Sequence, residues 1–184
     1  MEQKFRIFVK SKNADLTALT SETVIKDLLK FEPLVNIRRF IFWEVSFQEP
    51  DNNLAVEKLN KILNQSFYLA NPNKEFYEID KVKRKKLADN QKLFAIKTYN
   101  KDTYQKFDLI AKIKNKTKIE LTSLKKNLLW EFVLKFNQGL DAEQLQAQFI
   151  SDVLVTKSLE KGLIINPLFE EYSFLEGNTY YEFT

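Results

Sequence analysis

Ile37-Arg-Arg-Phe-Ile-Phe-Trp-Glu-Val-Ser-Phe47 is the most β-prone stretch of the chain. Aromatic and β-branched side chains fit a pleated, half-buried surface, so it reads as one long strand with Arg38, Arg39 and Glu44 interleaved. Successive side chains leave a strand on opposite faces, which sends Phe40 and Phe42 one way and Trp43, Val45 and Phe47 the other. Both faces are then apolar, as suits a strand buried between helices on one side and a further partner on the other. Leu128-Leu-Trp-Glu-Phe-Val-Leu-Lys-Phe136 is a second long, aromatic-rich strand.

Working outward from these two strands, the same order of elements occurs twice. In the first half, Phe5 to Val9 is a short strand and Ser21 is the N-cap of a helix whose apolar face is Val24, Ile25, Leu28 and Leu29. Pro33 ends that helix. After the long strand, Pro50-Asp-Asn52 supplies a turn, and Leu54 to Asn64 forms a helix on Ala55, Leu59, Ile62 and Leu63. Phe67 to Pro72 and Phe76 to Ile79 read as extended. In the second half, Leu93 to Tyr99 is a strand, and Lys101 to Lys114 is a helix with Phe107, Ile110 and Ala111 inward. An extra strand over Lys116 to Leu121 stays open beside that helix. Asn137-Gln-Gly139 makes the turn after the second long strand, and Asp141 caps a helix over Ala142 to Ile150 through Leu145 and Phe149.

The expectation is an α+β fold of two tandem, ferredoxin-like β-α-β-α-β units with antiparallel sheets and helices on one face. The first unit spans residues 1–80, a basic linker 81–92, the second unit 93–163 and an irregular aromatic tail 164–184. Five aromatics in that tail, Phe169, Tyr172, Phe174, Tyr180 and Tyr181, suit docking onto this chain's own sheet or onto a partner.

Composition removes whole classes of chemistry. With no cysteine and no histidine, the chain has no disulfide, no thiolate, and neither the commonest general base nor the commonest zinc ligand. Its three glycines, Gly139, Gly162 and Gly177, belong to no phosphate-cradling loop. The carboxylate pairs Glu170-Glu171 and Asp141-Glu143 have no supporting ligands nearby, and Asp141 is better read as a cap. Catalytic, cofactor-binding and metal residues are therefore all expected to be absent. Lys10 and Lys12 read as solvated. The basic run Lys81 to Lys86 reads as a solvated linker, since no aromatic side chain interleaves its lysines as single-strand recognition prefers. Without a signal-like start or an apolar run of the roughly 20 residues a membrane helix needs, a cytoplasmic protein is expected.

The ordered pattern resembles the N-terminal domain of the large form of phosphoribosylformylglycinamidine (FGAM) synthase, itself like two fused copies of the small PurS subunit. Phe5-Arg-Ile-Phe-Val-Lys-Ser-Lys12 is similar to the family's opening R-I-F-V-E-K-K, and Ser21-Glu-Thr-Val-Ile-Lys-Asp-Leu28 to its first helix. Leu34 to Phe40 resembles the start of its second strand, and Leu93-Phe-Ala-Ile-Lys97 its F-A-V-E strand. Phe132 to Leu145 looks like Y-L-V-N-K-x-I-T-A-E-E-L, and Phe149 to Thr156 sits where the family has Y-L-L-N-P-V. The likeness runs from about residue 4 to about residue 160, carried by order and spacing rather than by a fingerprint. Where the family has P-G-Q-F-D-Q-R-A, Tyr99 to Ile110 keeps only Phe107-Asp108.

The resemblance implies a non-catalytic scaffold of purine biosynthesis, an internal pseudo-dimer that couples synthetase and glutaminase partners. The chain would then be a subunit or domain of an ATP-dependent amidoligase with no active site or cofactor of its own. The alternative is a diverged small adaptor that binds another protein, or less favourably nucleic acid, through its sheet surface.

Overall fold

The computed structural model describes residues 1–101, 107–136, 141–158, 162–175 and 177–184. Both long aromatic stretches are strands, β2 (Leu34–Gln48) and β6 (Ser123–Lys135). They pair antiparallel over most of their length, with Ile41 opposite Leu128 near the middle. β1 (Glu2–Ser11) flanks β2, and β3 (Glu75–Ile79) flanks β1. On the other side β5 (Gln91–Asn100) flanks β6, and β7 (Glu170–Leu175) flanks β5. The resulting antiparallel sheet of six strands has the order β3-β1-β2-β6-β5-β7. Read from either edge, that is the third, first and second strand of a unit. The expected α+β architecture of two β-α-β-α-β units is thus present, and the units share one sheet. The second unit takes its third strand, β7, from the segment the sequence assigns to the tail.

The helices of eight residues or more are α1 (Leu16–Thr23), α2 (Asn52–Ser66), α3 (Phe107–Thr117) and α4 (Ala142–Phe149), and a single turn, α5 (Gly177–Tyr180), lies in the tail. Asp51 caps α2 by accepting from the Asn53 and Leu54 N–H groups, and Ala55, Leu59, Ile62 and Leu63 are its buried face as expected. Asp141 caps α4 in a reciprocal box with Gln144, with Leu145 and Phe149 inward.

The first helix corrects the sequence reading. Its cap is Asp15, which accepts from the Ala18 N–H, and Ser21 is a buried residue inside the helix. Val24–Leu28 then continues as a π-helical turn, with the Leu29 N–H donating to the Val24 carbonyl. The wider turn rotates Leu28 outward to 72% exposure while Ile25 stays buried. In α3, Ala111 is exposed and Ile113 is the fully buried residue. Lys118, at φ 62°, ends that helix, and no strand forms over Lys116 to Leu121. Phe67 is not in a strand either: it is the left-handed C-cap of α2 at φ 58°. The turn placed at Asn137 to Gly139 and the start of the Lys101 helix at 102–106 lie outside the described residues.

The four longer helices pack on one face of the sheet, but not on their own strands alone. Phe5, Ile7, Val9, Trp43, Val45 and Phe47 share a core with α2 and also with Ile113 of α3, from the other unit. Phe94, Ile96, Trp130, Phe132 and Leu134 share a second core with α4, with Ala18 of α1 and with Ile25 of the π turn that follows it. Each unit's first helix therefore helps cover the other unit's strands, and neither unit has a complete core by itself. Phe149 is central to the second core, with ring centroids 5.9, 6.1 and 4.8 Å from Phe31, Phe94 and Phe132.

Phe149→Ala is expected to destabilise the chain by about 3–5 kcal/mol in urea unfolding, in a single transition for both units. Leu28→Ala should stay within about 0.5 kcal/mol; a large effect would place Leu28 inside the core after all. A second expectation concerns pH. The Lys58 ammonium, and after it the Asp51 N–H, hold the Glu49 carboxyl below its ordinary value. A depressed folded-state value contributes stability above the unfolded carboxyl range, and that stability is lost as pH falls through the folded value. Glu49→Gln should thus lower stability at neutral pH and converge with the parent in acid; equal curves throughout would remove the coupling.

Candidate functional site

The sheet face opposite the helices is where the linker and the tail meet. β4 (Val82–Arg84) pairs in parallel with β8 (Tyr181–Phe183), joining Val82 to Tyr181 and Arg84 to Phe183. Strand alternation turns Val82 and Arg84 the same way. Val82 and Tyr181 are buried against Phe8, Phe40, Phe42, Ala95 and Leu129, making a third core. The basic run is therefore not solvated throughout: its middle is a strand that covers the sheet. The tail is likewise regular, and it docks on this chain's own sheet. Tyr172 and Phe174 pack on the second core, while Tyr180 packs on the third and stacks its ring 4.6 Å from the Arg6 guanidinium.

Beneath β4 lies a buried ion pair. Arg84 meets Glu131 of β6, with side chains only 11% and 2% exposed, and the guanidinium stands 5.6 Å from the Phe40 ring. Charges so far from water require a partner, and each here supplies the other's. The pair engages Oε2 of Glu131; Oε1 is buried with no hydrogen-bond partner. The Tyr181 hydroxyl is also buried without a partner, and burial holds its pKa above the ordinary phenol range.

Glu131 follows Trp130 just as Glu44 follows Trp43, so the two units place a carboxylate at matching points of their long strands. Their surroundings differ. Glu44 Oε2 accepts from Asn127 Nδ2 at 2.8 Å and from Lys97 Nζ at 3.5 Å, near the surface. Only Glu131 is sealed by the linker strand.

The residues singled out from sequence do not assemble into a catalytic centre. Phe40, Phe42, Trp43 and Phe47 are all buried, and Trp43 Nε1 donates to the Leu69 carbonyl at 2.9 Å, so no base can stack on them. Glu170 accepts from the Asn166 N–H at 3.0 Å, Glu171 is exposed, and Asp141 is a cap. Lys10 is exposed, and Lys12 Nζ donates to the Pro72 carbonyl beside the Phe76 ring. Among the described residues no cluster of three or more acidic side chains is arranged to hold a metal ion. No described helix is long and apolar enough to cross a membrane. What the surface does carry is apolar: Leu16, Leu19 and Leu28 on the first helix are 74%, 52% and 72% exposed.

Sequence reasoning missed Arg84 and Glu131. The available signals were the Val82-Lys-Arg84 alternation inside a basic run and the repeated Trp-Glu pair.

Removing either charge alone strands the other in an apolar site. Arg84→Met and Glu131→Leu are each expected to cost about 3–5 kcal/mol, and the double variant less than the sum. Additive losses in chemical denaturation would mean that the two side chains do not interact.

Comparison of the chain with protein-family models, curated proteins and solved structures found no match.

Proposed function

We propose that the chain is a non-catalytic, PurS-like scaffold that holds the synthetase and glutaminase parts of FGAM synthase together in the cytoplasm. The observation that carries this reading is the exposed apolar surface of the first helix. Leu16, Leu19 and Leu28 come from one helical segment, lie outside all three cores, and face water at more than half their area. Apolar side chains left exposed in this way gain free energy when a partner protein covers them.

Three further features support a scaffold. The chemistry needed for acid–base or metal catalysis is missing from the composition. The single sheet shared by two units makes an internal pseudo-dimer with a fixed spacing between its two halves. The ordered likeness of Phe5 to Lys12, Leu93 to Lys97 and Phe132 to Leu145 to the PurS-like domain names the partner class. The adaptor reading through the sheet surface is less well supported, because β4 and β8 already occupy the middle of that face.

A pull-down from native lysate with the tagged chain tests the assignment. The parent protein is expected to recover both a synthetase and a glutaminase of purine synthesis. The triple variant Leu16→Glu, Leu19→Glu, Leu28→Glu, with thermal unfolding unchanged, should lose them. Recovery of neither partner by the parent protein ends the purine assignment, and undiminished recovery by the variant moves the interface off this helix.

A further inference from the structure

Beside the buried Glu131 lies a cleft whose lining points to a small ligand. A cavity of about 300 Å³ lies between β4 and the sheet, within the size range of small-molecule sites. Arg38, Lys83, Arg84, Lys85 and Lys86 contribute to its walls, and Glu131 is the only carboxylate among the lining residues. Arg84 already neutralises that carboxylate. Arg38 stands directly opposite Glu131 in the β2–β6 pairing, yet Arg84 takes the ion pair, and Arg38 makes no ion pair with a described residue. The side chains of Lys83, Lys85 and Lys86 likewise have no acidic partner among the described residues. The cleft is therefore a concentration of unanswered positive charge.

Its remaining walls are of two other kinds. Leu87, Leu93, Val133 and Phe183 form an apolar side, and Phe183 retains exposed ring surface. The third side is the Arg84–Glu131 pair itself, whose Glu131 Oε1 and Arg84 Nε are both buried without a hydrogen-bond partner.

The matching cleft of the other unit shows that this is not a generic product of the fold. It is of similar size, about 280 Å³, and includes Glu44, but Glu2 joins Glu44 against Lys4, Arg6 and Lys125. There Glu44 is already bonded by Asn127 and Lys97, and no linker strand roofs it. The asymmetry arises from residues 82–87, which belong to neither repeat.

We infer that the cleft beside β4 binds a nucleoside phosphate. The phosphate would be held by Arg38 with Lys85 and Lys86, and the base would lie against Leu93 and Phe183. No bond is made or broken in this role. A phosphate without a base leaves the apolar wall unused, and a nucleoside without phosphate leaves the cations unused.

Isothermal titration of the full chain with AMP and GMP tests the site, with inorganic pyrophosphate and the two nucleosides as comparisons. At least one nucleotide should bind saturably with a Kd below about 1 mM at physiological salt, and more tightly than pyrophosphate or its nucleoside. Arg38→Ala and, separately, Lys85→Ala with Lys86→Ala should each weaken binding about tenfold with the thermal unfolding midpoint unchanged. Lys125→Ala, in the matching cleft, should leave binding as it was. Three outcomes overturn the inference: no saturable binding of either nucleotide, pyrophosphate binding as tightly as the nucleotides, or full affinity in both cleft variants. Loss of affinity in Lys125→Ala equal to that in Arg38→Ala would also overturn it, by placing the ligand elsewhere.

Discussion

The antiparallel pairing of β2 with β6 is the constraint on which everything else rests. Thr122 and Ser123 meet Ser46 at one end, and Leu34 meets Leu134 at the other, so the two longest strands are locked in register along almost their whole length. A slip of one residue would turn one strand over against the other, taking either Trp43 and Val45 or Trp130 and Phe132 off the helical face and bringing Glu44 or Glu131 onto it. Burial on both faces makes that exchange prohibitive. The pairing also removes what would be an exposed edge in each unit, leaving only β3 and β7 as sheet edges.

From that pairing follows the interlocking of helices. Once the two units share a sheet, the space above each three-strand half is filled by one helix from each unit. Ile25 of the π turn after α1 and Phe149 of α4 lie in the same core, as do Ile113 of α3 and Leu59 of α2. The shared packing fixes the spacing between the two halves. A tandem pair with independent cores would be free to reorient about its linker.

The other face has a different logic. Phe8, Phe40, Phe42 and Leu129 need cover, and α1 to α4 are all on the far side. The cover comes from two three-residue strands that are distant in sequence and individually too short to persist. Burying Val82 and Tyr181 offsets the cost of carrying Arg84 into an apolar layer, and Glu131 meets its charge. An apolar pair of similar volume would serve stability at least as well, so the ion pair is a sign of specificity in how the linker docks, and it shapes the basic cleft beside it.

Much of the fold was legible because it depends on local periodicity. The strands around Phe40 and Trp130, the helix on Ala55, Leu59, Ile62 and Leu63, the Asp141 cap and the opposite facing of Phe42 and Trp43 all follow from side-chain spacing and cap chemistry. The absence of histidine and cysteine bounded the chemistry before any geometry was known. What tertiary structure alone decided are the features that join distant residues. Leu28 faces outward because a π turn, set by how α1 seats on the sheet, changes the register. Arg84 is buried because residues about a hundred positions later return to pair with it, as Thr184 does with the Arg84 carbonyl. A charged residue in a lysine run carries no local mark of burial; its environment is the sum of contacts that exist only after the chain has closed on itself.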